Sequence, residues 1–223
     1  MRKYMALPIA GMLALTIAAP ALAGASVTNT SGGGETIYGV WSSEGTMGYV
    51  FLGEETGHGG FGEIYLESGE WVACEPSVEN AAGNTKSSPQ DTGPADEFRG
   101  FVGTRTYGRA FDLTISLSRR LETGSATGLV ELVTETVNEC EGIFGEPTSQ
   151  IAPLDVDLIG VGSLASFRGS GHYKMPSEFN GHENYRGTER AATGSVVVGD
   201  AIDTTLDFGS MSRVTWTQHT NGG

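Results

Sequence analysis

Phe111, Leu113, Ile115 and Leu117 alternate with Asp112, Thr114, Ser116 and Ser118. Successive side chains of a strand point to opposite faces, so this pattern makes one face dry and the other wet. An antiparallel sheet with one buried face has this signature. The period recurs in short runs at 37–41, 49–52, 61–66, 71–74, 154–158, 196–198, 202–208 and 214–216. The 61–66 and 71–74 runs are joined by Glu67-Ser68-Gly69-Glu70, a link that suits a hairpin. In 128–140, Leu129, Val133 and Val137 sit at helical spacing, but the Val and Thr content favours a strand. No stretch of ten or more residues carries both helix start and stop signals.

The expected fold is therefore all-β. It is a single antiparallel β-sandwich or closed β-barrel of about ten strands, with long Gly/Pro-rich loops and little or no helix. The 34 glycines agree with many tight turns. The longest expected loop is 75–97, with Pro76, Pro89 and Pro94 and few apolar residues. No fixed-period repeat points to a propeller or solenoid. Most runs are shorter than the 9–11 residues a membrane-spanning strand needs, and aromatic girdles are missing.

Residues 1–23 read as a secretory signal peptide. Arg2 and Lys3 precede an apolar run at 6–19, Pro20 breaks it, and Ala21-Leu22-Ala23 offers small residues for cleavage before Gly24. The run is shorter than the roughly 20 residues a helix needs to cross a bilayer. No cysteine marks a lipid anchor, and no twin arginine is present. The sequence thus divides into a signal peptide (1–23), a flexible Ser/Thr/Asn/Gly leader (24–35) and an all-β domain (36–223). The expected location is secreted, periplasmic or cell-surface, with no membrane span in the mature chain. In an exported chain the two cysteines, Cys74 and Cys140, are expected to form a disulfide.

The net charge of −14 opposes binding to nucleic acid, which needs clustered Lys and Arg. The densest set of chemically capable side chains lies in 167–190. There His172, Tyr173, His182, Glu183 and Tyr185 are the candidate ligand-binding residues, beside Lys174, Glu178, Asn180 and Arg186. Aromatic and charged groups mixed in this way suit a binding surface. The His-Glu-x-x-His spacing of zinc hydrolases is absent, and no metal or other cofactor is expected. His58, among Gly57, Gly59, Gly60 and Gly62, reads as a hairpin tip. The pairs Asp155/Asp157 and Asp203/Asp207 read as the wet positions of half-exposed strands rather than as glycosidase carboxylates. Gly-x-Ser-x-Gly does not occur, and neither does a catalytic cysteine signature.

The first expectation is a non-catalytic binding or structural module. Its partner would be extracellular, a glycan or a small ligand. A secreted carbohydrate-active or metal-dependent hydrolase using 172–186 is the second. A lipocalin-like barrel is the third, with an apolar ligand held by the inward residues of 111–117 and 202–208.

Overall fold

The computed structural model describes residues 27–74, 99–175 and 179–222. The expected signal peptide and the 75–97 loop lie outside them. Eleven strands and no helix occur among the described residues. They are β1 (Val27–Ser43), β2 (Thr46–Glu55), β3 (Gly59–Ala73), β4 (Arg99–Leu117), β5 (Thr123–Asn138), β6 (Ile143–Phe144), β7 (Thr148–Gly160), β8 (Ala165–Met175), β9 (Phe179–Val198), β10 (Ile202–Thr205) and β11 (Phe208–Gly222).

Their pairings close a barrel. Each of β1, β2, β3, β4 and β5 pairs antiparallel with the next. β5 pairs with β7, β7 with β9, β9 with β11, and β11 returns to β1. This is an up-and-down meander with no free edge around the ring. The three remaining strands are pieces of long ones. β6 continues β7 along β5, β8 continues β7 along β9, and β10 precedes β11 along β9.

The barrel interior is apolar and filled. Ile37, Val50, Leu52, Val130, Leu132, Val156, Val196, Val198 and Met211 are fully buried. Trp41 lies against Gly48 and Met211 against Gly124, where a Cβ would collide with the larger side chain. This pairing of large and small residues fits side chains into a closed barrel of this size. Cys74 and Cys140 are disulfide-bonded and staple the end of β3 to the turn after β5.

Three local expectations are corrected. Residues 27–35 are not a leader but the first part of β1, paired along β11. The glycine run that reads as a linker leaves room for the Trp216 ring, which lies over Gly32. Second, 61–74 is not a hairpin. β3 runs unbroken through Ser68-Gly69 because it is paired to β2 and β4 there, Ser68 to Thr46 and Thr104, and Gly69 to Gly103. Third, Phe111 does not share the face of Leu113, Ile115 and Leu117. A β-bulge between Phe111 and Thr114, with Asp112 at φ 49°, turns Phe111 outward.

At one end the wall continues past the barrel mouth. Residues 27–33 of β1 pair only with β11, and β8 pairs only with β9. The result is a four-stranded flap in the order β8, β9, β11, β1, about 20 Å long at 3.3 Å per residue. Alternation carries the core-lining face of Ala192, Met211 and Ile37 onto the inner face of this flap.

Candidate functional site

The flap divides the sequence candidates between its two faces. His172 and His182 are direct cross-strand partners on the inner face, and His182 is in turn opposite His219 of β11. Their ring centroids lie 4.2 Å apart for His172 and His182 and 6.5 Å apart for His182 and His219. Three of the chain's four histidines thus form one row across three strands. His219, far along the sequence, was no part of the expected set. Glu183 and Tyr185 occupy the outer face, one and three residues on from His182. Tyr185 lies over Gly169. The backbone of Tyr173 is opposite Gly181, which puts it at an outer-face position; its side chain lies outside the described residues.

Four residues toward the barrel along β8 and β9, the inner face becomes basic. Arg168 of β8 is paired directly with Arg186 of β9. Both are exposed, and among the described residues neither has a carboxylate partner. Arg186 Nε donates to Thr215 Oγ1 at 3.3 Å. The next row holds Arg213, half-buried, whose guanidinium bonds Glu35 and the Leu117 carbonyl oxygen (2.8 Å). Arg190 closes the base. Its Nη1 reaches the Arg120 carbonyl at 3.3 Å, while its buried Nε has no partner. Arg168, Arg186 and Arg213, but not Arg190, line a pocket of about 590 Å³ together with Ser166, Phe167, Gly187, Thr188 and Thr215. Like charges directly opposite across strands destabilise a sheet, and an anion between the two arginines would relieve that repulsion.

A second groove, of about 880 Å³, runs over the outer surface of β2 to β5. Phe51, Phe61, Phe111 and Tyr107 line it, with Glu63, Arg109 and Glu131 between them. Beside it Tyr49, Tyr65 and Tyr107 form a row, with centroids 5.6 and 5.1 Å apart. Burial, followed by the Glu63 charge, raises the Tyr49 hydroxyl pKa. Tyr65 is raised further, first by burial and then by its bond to Glu67. Above this row Arg105 bridges Glu67 (2.8 Å) and Glu139 (2.7 Å), with its guanidinium over the Phe101 ring. Bonds to the two carboxylates outweigh burial and hold Arg105 charged. The Phe101 N–H, then Arg105, lower the Glu139 pKa. This network ties β3, β4 and β5 together and is structural.

The other sequence candidates stand apart from the pocket. His58 is exposed in the β2–β3 turn between Gly57 and Gly59, both at positive φ. Asp155 and Asp157 are exposed on the outer surface of β7, paired with Thr127 and Ser125. Asp207 accepts from the Ser42 N–H (2.6 Å) and hydroxyl (2.7 Å), which closes β11 onto β1. Leu113, Ile115, Leu117, Ile202 and Leu206, expected to line a ligand cavity, belong to the packed core. No protein-family model, curated protein or solved structure matches the chain.

Proposed function

We propose that this is an exported, non-catalytic binding module that captures an anionic group in the arginine pocket at the flap. The ligand class is a small molecule or glycan carrying carboxylate, sulfate or phosphate. The observation that carries this reading is the Arg168–Arg186 pair. Two exposed arginines are paired opposite each other across β8 and β9 without a described carboxylate, in a chain whose net charge is −14. Bidentate donor forks of this kind match planar and tetrahedral oxyanions. Arg213 adds a third cation in the same pocket, already held in place by Glu35.

Export is supported by the signal-peptide pattern at 1–23 and by the Cys74–Cys140 disulfide. No helix among the described residues is long and apolar enough to cross a membrane. The outward strand faces carry exposed Glu63, Arg109, Glu131, Asp155 and Asp157 around an apolar interior. A barrel that spans a bilayer has the reverse pattern, apolar outside and polar within, so these charges support a barrel surrounded by water.

The test is calorimetric titration of the mature chain with sulfate, phosphate and citrate at low ionic strength. Citrate is expected to bind most tightly because it can engage several guanidiniums at once. Arg168→Gln and Arg186→Gln should each weaken it at least tenfold, about 1.4 kcal/mol. No binding by the wild-type chain, or equal binding by both variants, overturns the proposal.

A further inference from the structure

We propose that His172 and His182 form a two-imidazole chelate for a divalent transition-metal ion of the copper, nickel and zinc class. The site lies on the inner flap face, four residues beyond the arginine pair along β8 and β9, or about 13 Å away. It therefore stands independently of anion capture.

Three observations carry the inference. First, the two rings come from directly paired positions on adjacent strands, with centroids 4.2 Å apart. Metal–nitrogen bonds of about 2.0–2.1 Å bring two donor atoms roughly 3 Å apart. Rings at this spacing reach that separation by rotating about their Cβ–Cγ bonds. Second, the Nδ1 of His182 is buried and has no hydrogen-bond partner. A buried polar atom left unpaired is costly, and a metal ion is one of the partners that relieves it. Third, the inner-face neighbours on the barrel side are Ser170, Asn184 and Thr217, which are neutral, and the next inner-face position of β8 on the far side is Lys174, so no neighbouring position is a carboxylate. With imidazole donors and no carboxylate, the site favours borderline transition metals over calcium or magnesium.

Only two imidazoles are within reach of a single ion. Among the described residues no group of three His, Cys, Asp or Glu side chains is gathered for a metal. His219 is one strand further along the row, 6.5 Å from His182. Two protein ligands leave open positions on the ion, so the complex is exchangeable rather than a structural centre that the fold depends on.

The experiment is a titration of tag-free mature protein with Cu²⁺, Ni²⁺ and Zn²⁺, read by calorimetry and, for copper, by electron paramagnetic resonance. One equivalent of Cu²⁺ is expected to bind with a nitrogen-coordinated signal, and more tightly than Ni²⁺ or Zn²⁺. His172→Ala and His182→Ala should each lower copper affinity tenfold or more. Even losing a group that only supports a metal ligand by a hydrogen bond costs about 10–100-fold. His58→Ala and Arg168→Gln should leave it within twofold. His172 is exposed, so its alanine variant tests the chelate without disturbing the core. Absence of copper binding, or unchanged affinity in both His172→Ala and His182→Ala, overturns the proposal. Neither result bears on citrate binding by the arginine pocket.

Discussion

Arg168→Gln should make the protein more stable and less able to bind. The Arg168–Arg186 pair is directly opposed across β8 and β9. Cβ atoms at such positions are about 4.5–5.5 Å apart. Two unit charges at about 6 Å in water repel by roughly 0.7 kcal/mol, and flexible exposed stems reduce this further. A gain of about 0.5 kcal/mol at low ionic strength follows, since like charges directly opposite across strands are destabilising. Glutamine keeps most of the aliphatic stem, so packing on β8 changes little. Urea denaturation at 10 mM ionic strength reads the difference. In 1 M NaCl, where the screening length is about 3 Å, it should vanish. Citrate should reverse the order. At a hundred times its dissociation constant it adds about 2.7 kcal/mol to the wild type and much less to the variant. If Arg168→Gln is less stable at low salt, or if citrate stabilises both proteins equally, the pair is not an unfilled anion site.

Other expectations concern the frame that holds the flap. Replacing both Cys74 and Cys140 by alanine opens a loop of sequence separation 66. Chain entropy puts the cost at about 4 kcal/mol, measurable as a shift in the urea midpoint with unchanged anion affinity. Leu132→Ala, at a fully buried position inside the barrel, should cost about 2–5 kcal/mol by thermal or urea unfolding. Arg105→Met strands Glu67, whose side chain is 8 % exposed, and should cost about 3 kcal/mol. Glu139 has its pKa lowered from 4.5 by the Phe101 N–H and then by Arg105. Its contribution is present above pH 4.5 and is lost as the pH falls through that lowered value. Glu139→Gln should therefore flatten the acid limb of a stability–pH profile.

The alternation that identifies a strand is local, and it was legible where nothing interrupted it. Leu154, Val156 and Leu158 face the core as their spacing predicts. The failures fall where pairing partners overrule composition. Ser68 and Gly69 look like a turn in isolation, but neighbours on both edges keep them extended. Gly32, Gly33 and Gly34 look like a linker, yet β11 supplies fourteen successive pairs to β1 around them. Asp112 adopts positive φ, and the resulting bulge moves Phe111 from the core side to the outer groove. No spacing rule announces a bulge at an aspartate inside an alternating run.

The candidate site was legible as a segment but not as a surface. A stretch rich in His, Tyr, Glu and Arg does mark the β8–β9 hairpin. Which of those residues act together depends on parity, and parity depends on register. Pairing His172 with His182 fixes it, since a slip of one residue would exchange the faces. Given that register, Glu183 and Tyr185 leave the inner face, and Arg168 and Arg186 join the histidines on it. β11 then adds His219 and Arg213, residues that carry no local signal of their own. The candidate face is therefore a product of strand order. It combines β8, β9 and β11 because the barrel closes through β9 and β11, and it is open because β8 ends the sheet.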